Sequence, residues 1–181
     1  MKKLLLMVVI CMTTLTAGAQ EIFVGGGISM WRDTDIDEMS FSISPEIGYE
    51  YNEKWAFGGE FIFSHDHRIL GIDDNVYITE SMNSFAIAPY ARFTYYRNKS
   101  LRLFLDMGFG ISNWKAKHSS SETGFEIGVK PGLAFSLNDH FSLVAKVGFA
   151  GYRDEYLGSK NNGFGVDLEG NNLSFGIEYA F

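Results

Sequence analysis

The segment Leu101-Arg102-Leu103-Phe104-Leu105-Asp106-Met107-Gly108-Phe109-Gly110-Ile111 alternates without a break. Its odd positions are uniformly large and apolar, while its even positions are charged, small or, once, aromatic. Successive side chains of a β-strand point to opposite faces, so a two-residue period describes a strand with one apolar face. Phe125 to Leu137 obeys the same rule: Phe125, Ile127, Val129, Pro131, Leu133, Phe135 and Leu137 share one face, and Glu126, Gly128, Lys130, Gly132, Ala134 and Ser136 the other.

Outward from these two segments the period continues, and no stretch after residue 20 sustains a helical repeat. Eight strands are predicted, at about 21–31, 40–51, 55–65, 83–96, 101–113, 124–137, 141–152 and 171–181. Three connections are short and rich in turn formers: Asn52-Glu53-Lys54, Arg97-Asn98-Lys99-Ser100 and Asn138-Asp139-His140. Four are longer and polar, at 32–39, 66–82, 114–123 and 153–170, and short and long connections alternate strictly. Pro45, Pro89 and Pro131 recur, each followed seven to nine residues later by the Asn of a short turn. The repeated unit is one hairpin, as in an up-and-down meander. A bulge is expected at each proline, which cannot donate to the ladder.

Size decides which face meets solvent. One face carries Phe41, Ile43, Ile47, Tyr49, Trp55, Phe57, Phe61, Phe63, Phe85, Ile87, Phe93 and Tyr95, with the Leu, Phe and Ile rows of the later strands. The interior of an eight-stranded barrel holds only modest side chains. The other face, with Gly48, Gly58, Gly108, Gly110, Gly128 and Gly132, suits that crowded interior. The expected fold is therefore all-β: an eight-stranded antiparallel up-and-down transmembrane β-barrel, apolar outside, with lipid as its solvent. Aromatics beside the short turns (Tyr49, Tyr51, Trp55, Tyr95, Tyr96, Phe135, Phe141) fit an interfacial girdle. A soluble lipocalin-like barrel would instead show a polar exterior. The chain of 181 residues is 46% hydrophobic, too apolar for disorder. Its net charge of −7 argues against nucleic acid as a partner.

The amino terminus predicts export. Met1-Lys2-Lys3 is a basic start, Leu4 to Leu15 is apolar, and Ala17-Gly18-Ala19 offers a small-x-small cleavage site. Residues 1–19 read as a cleaved signal peptide, cut after Ala19, with 20–181 as the mature barrel domain. Cys11, the single cysteine, leaves with the signal peptide, so no disulfide or thiolate chemistry is expected. Removal takes away two Lys and no acid, moving the net charge from −7 to −9.

The chain ends Phe175-Gly176-Ile177-Glu178-Tyr179-Ala180-Phe181. A terminal Phe preceded by alternating apolar residues resembles the assembly signal of bacterial outer-membrane barrels, with Phe175, Ile177, Tyr179 and Phe181 carrying it. With Pro45-Glu46-Ile47-Gly48-Tyr49 and Pro131-Gly132-Leu133-Ala134-Phe135, residues 20–181 resemble the small OmpX/OmpA-like barrels and the "outer membrane protein beta-barrel domain" proteins. The peptidoglycan-binding domain of full OmpA finds no counterpart in the sequence. The resemblance implies the outer membrane as location. It implies outer-membrane lipid and lipopolysaccharide, the outer-membrane assembly machinery and an extracellular ligand of the long loops as partners.

On the strand parity, Glu46, Glu50, Glu60, Asp106, Glu126 and Glu178 face inward with Arg92, Arg102, Lys130 and Lys146. Charges in a narrow interior are costly unless paired, so an ionic network plugging the lumen is expected. The acids exceed the bases by two, which would leave a carboxylate protonated or near a mouth. Catalytic signals are thin. His118, Ser120 and Glu122 lie in one loop and have the residue types of a lipid A-modifying acyltransferase or deacylase, but the wider deacylase motif is absent. His65-Asp66-His67 places two rings on one face with no third ligand evident. Asp33, Asp35 and Asp37 resemble a calcium loop, yet Glu38 and Ser44 stand where Gly and Glu are required. The sequence therefore predicts a non-enzymatic barrel without cofactor or metal, structural or adhesive, with a small porin and a lipid A enzyme as alternatives.

Overall fold

A computed structural model describes residues 22–33, 38–73, 76–116, 120–159, 162–168 and 173–181. The predicted signal peptide, Asp35, Asp37 and His118 lie outside the described residues. Ten strand segments form one antiparallel sheet: β1 Ile22–Asp33, β2 Glu38–Glu50, β3 Trp55–Asp73, β4 Val76–Arg97, β5 Leu101–Ala116, β6 Ser121–Ser136, β7 Phe141–Val147, β8 Phe149–Asp154, β9 Gly163–Asp167 and β10 Leu173–Ala180. β1 to β7 pair in chain order, β6 pairs also with β8, β8 with β9, and β7 with β10. β1 then pairs with β10, Val24 opposite Tyr179 and Ile28 opposite Phe175, which closes the barrel. β7 and β8 are two halves of a seventh barrel strand, and β9 and β10 of an eighth, giving the eight-stranded count.

The short turns are three copies of one device. Asn52 Oδ1 accepts the amides of Lys54 and Trp55; Asn98 Oδ1 those of Ser100 and Leu101; Asn138 Oδ1 those of His140 and Phe141. The asparagine side chain thus satisfies two amides that the turned backbone leaves free, which is why the repeat carries Asn at this point.

The connections differ from expectation at 32–39 and 114–123, where the ladder runs on to pair Asp33 with Glu38 and Lys115 with Ser121, and in three further places. Segment 66–82 is no loop: β3 and β4 run on, pairing Asp66 with Met82 and Asp73 with Val76. These strands are 19 and 22 residues long, against about 9–11 for a membrane crossing. The excess is a two-stranded arm beyond the rim. Segment 153–170 contains strand β9 and a single 3₁₀ turn at Tyr156–Gly158. The bulges expected at Pro45 and Pro89 are absent: the ladder skips the proline while the register holds on both sides. At Pro131 a register change does occur, between Gly132 opposite Lys146 and Val129 opposite Ala150. The extra residue lies on the partner, at Gly148, whose φ of +73° suits only glycine at low cost.

That bulge reverses parity. Beyond it Phe149 is buried and turned into the lumen, where the two-residue period had placed it outside. Outside this bulge and the register shifts at Thr94/Tyr96 and Ile69/Gly71, parity holds. Phe41, Ile43, Phe57, Phe61, Phe63, Phe85, Ile87, Phe109 and Ile111 all stand exposed on the outer wall. The apolar band is closed below by rings in contact near the short turns, Trp55 with Phe93 and Phe141 with Tyr179, at centroid separations of 5.0 and 4.8 Å. Large rings enter the interior only where glycine leaves room. Phe23 and Phe104, both fully buried, take space that a side chain at Gly48 or Gly132 would fill.

Candidate functional site

The lumen is where the chain concentrates its polar chemistry. Arg92 on β4 is fully buried, its guanidinium 4.1 Å over the Phe104 ring. Its Nε donates to Asp106 Oδ1 at 2.7 Å, its Nη2 to Asp106 Oδ2 at 3.0 Å, and its Nη1 to Glu178 Oε2 at 2.7 Å. The fork geometry of arginine meets one carboxylate with two parallel bonds and still reaches a second across the barrel. Glu46 accepts from Lys146 at 2.9 Å and from the Tyr90 hydroxyl at 3.1 Å. Lys146 also lies 3.6 Å from Glu60 and 3.5 Å from Asp106. Toward the short turns Arg102 bridges Glu50 and Glu178, and Glu50 takes a further bond from Arg97 at 3.0 Å.

A second cluster lies toward the long-loop end. Glu126 pairs with Lys130 at 2.6 Å and with Arg153 at 3.0 Å, and Arg153 stacks 4.2 Å above the Phe149 ring. Between the clusters is a void of about 20 Å³, room for about one water, lined by Glu60, Tyr90, Asp106, Glu126, Lys130 and Phe149. The structure thus brings together all ten inward charges named from sequence: Glu46, Glu50, Glu60, Arg92, Arg102, Asp106, Glu126, Lys130, Lys146 and Glu178. It adds two that parity missed. Arg153 was hidden by the Gly148 bulge, and Arg97, expected in a turn, ends β4 opposite Arg102 after a register shift between Thr94 and Tyr96. These two cations offset the excess of two carboxylates.

The mouth above is filled by the chain itself. The 3₁₀ turn places Tyr156 against Ile62, Ala86 and Ala88, with Leu157 beside them. Leu157 N donates to Ser112 Oγ at 2.9 Å. The seat is made by two inward glycines: a Cβ on Gly110 would lie 2.5 Å from the Tyr156 hydroxyl oxygen, and one on Gly124 would collide with the Glu155 carbonyl. Glu155 and Leu157 hold left-handed backbone angles, φ 48° and 54°, which cost about 1–3 kcal/mol each and persist only where packing imposes them.

The profile of the outer membrane protein beta-barrel domain matches residues 4–181. The chain belongs to that family. It is an outer-membrane protein that crosses the bilayer with strands. The barrel is similar to neisserial surface protein A, at 11% identity over 91% of this chain and 98% of that one, with a TM-score of 0.56. It is also similar to Ail, the attachment invasion locus protein of Yersinia pestis, solved with the heparin analogue sucrose octasulfate, at 17% identity over 90% and 97% of the two chains, TM-score 0.53. No curated protein matches the sequence.

Of the candidate triad, Ser120 and Glu122 are described and His118 is not. Ser120 donates to Glu122 at 3.1 Å. Among the described residues no group of three His, Cys, Asp or Glu is placed to hold a metal. At the carboxy terminus Phe175 and Ile177 stand exposed on the outer wall, and Tyr179 packs edge-on against Phe181 at 4.9 Å.

Proposed function

We propose that this protein is a non-enzymatic outer-membrane barrel with a plugged lumen, whose work is structural or adhesive and is done by the segments it presents outside the cell. The observation that supports this reading is the crowding of the interior: two ion-paired clusters with a void for about one water between them, under Tyr156 and Leu157. A pore needs a continuous water path, and a lumen crossed by the Arg92 pairs offers none. The long β3–β4 arm supports presentation, since a crossing alone needs about half its strand length.

The long-loop end is the place for an extracellular ligand. Ail was solved with a sulfated saccharide analogue. Here the net charge of −7 repels polysulfates at long range, so a neutral or basic ligand is favoured.

Three measurements test the reading together. Planar-bilayer recordings of refolded protein give no reproducible unitary current. Lipid A mass spectra are the same in cells with and without the protein. Cells displaying the protein bind host matrix or partner cells more than control cells do. Stable unitary currents overturn the plug, and a new or missing lipid A acyl chain overturns the non-enzymatic assignment.

A further inference from the structure

We infer that Met39, His65 and His67 form a surface site for a single copper ion, held best as Cu(I). His65 and His67 are two apart on β3 and share its outward face, both exposed. Met39 on β2 is directly opposite His67 and exposed on the same face. Opposite residues have Cβ atoms about 4.5–5.5 Å apart, within reach of a side chain with three rotatable bonds.

The ring geometry fits one shared ion. The His65 and His67 ring centroids are 5.9 Å apart. A metal–nitrogen bond of about 2.1 Å, with about 1.1 Å from nitrogen to ring centre, lets two rings share an ion up to about 6.4 Å apart.

β4 also touches each ring. His65 Nδ1 lies 2.8 Å from Asn83 Oδ1, an acceptor, so Nδ1 carries the proton and Nε2 keeps its lone pair. Ser81 Oγ lies 3.2 Å from His67 Nδ1 and 3.4 Å from its Nε2, so it touches the ring edge without selecting a tautomer, and only His65 is oriented from behind. Outer partners that fix the tautomer and orientation of a histidine are the usual support of a metal ligand. Two imidazoles with a thioether select copper, and the soft sulfur favours the monovalent ion. On β3 and β4 the outer face passes here from Phe63 and Phe85 to His65, His67, Asn83 and Ser81, while Phe41 of β2 still stands opposite His65, which puts the site at the edge of the apolar band.

The test titrates the refolded chain lacking residues 1–19, and with them Cys11, in detergent with Cu(I), anaerobically, against a colorimetric Cu(I) chelator. Heat-modifiable mobility checks that each variant is folded. The native chain holds one equivalent. His65→Gln and His67→Gln each weaken binding by about tenfold or more, and Asn83→Ala by about tenfold through loss of orientation. Met39→Leu weakens Cu(I) by a similar factor but leaves Zn(II) affinity, measured in parallel, unchanged. Cu(I) retained equally by the folded His65→Gln/His67→Gln double variant overturns the site. Cu(I) affinity unchanged in Met39→Leu overturns the choice of ion.

Discussion

Arg92 on β4 and Glu178 on β10 meet at 2.7 Å across the lumen, joined by side chains that are 86 positions apart in the chain. No ladder connects β4 with β10, so this bond ties opposite walls of the barrel directly. The remaining Arg92 bonds go to Asp106 on the adjacent β5, which makes Arg92 the hub of the lower cluster.

Removing the hub takes the bidentate partner from Asp106, leaving it only Lys146 at 3.5 Å, and leaves Glu178 with Arg102 alone. Arg92→Ala is expected to destabilise the refolded barrel by about 3–5 kcal/mol in urea unfolding in detergent micelles. Lys130→Ala is expected to cost much less, because Glu126 retains Arg153 at 3.0 Å. Equal losses in the two variants would show that the lower cluster has no special weight.

The mouth plug depends on an absent side chain. Gly124→Ala places a Cβ against the Glu155 carbonyl and is expected to lift the turn while leaving the ladder intact. A cysteine at Ala88, beneath Tyr156, then reacts at least several-fold faster with a charged thiol reagent than the same cysteine over Gly124. The heat-modifiable folded band stays unchanged.

Orientation follows from loop length. Outer-membrane barrels keep short turns in the periplasm and long connections outside. Cysteines at Ser120 and Asn162 are expected to label on intact cells, and one at Asn98 only after the outer membrane is permeabilised. Labelling confined to Asn98 reverses the topology.

The last strand is expected to carry the assembly signal. Phe181 donates its backbone amide to Ile22 O at 3.0 Å, and its side chain is exposed on the outer wall. Deleting Phe181 removes one closing bond and the terminal aromatic. The folded fraction recovered from outer membranes should fall sharply, while refolding into detergent is affected little. An equal fall in both settings would mark Phe181 as a stability residue instead.

Most of the wall was legible because a two-residue period assigns every side chain to one face once a single strand is oriented. That is why Glu46, Arg92, Asp106 and Glu178 could be placed inward from sequence. The reading broke where one residue was inserted. Gly148 between Val147 and Phe149 reversed the faces of the next five positions, sending Phe149 and Arg153 into the lumen. An isolated glycine inside a strand is the available warning of such a bulge. The β3–β4 arm was missed for another reason. Its outer half mixes Asp66, His67, Arg68 and Asp73 with Ile69, Leu70 and Ile72 in no clean two-residue period, so alternation is lost while the ladder continues. Backbone pairing alone sustains it, and that leaves no pattern in side-chain hydropathy.

The backbone bond between Phe181 and Ile22 makes the wall a ring in which first and last described residues are neighbours. A ring has no privileged starting point. A circular permutant that links 181 to 22 and opens the chain between Asn98 and Lys99 preserves every strand neighbour in the wall. Such a molecule would still carry the full instructions for its shape, but Phe181 would no longer stand at a chain end. Refolding of the permutant in detergent, with failure to mature in cells, would separate two messages written in the same last strand: one that says what to become, and one that says where to be delivered.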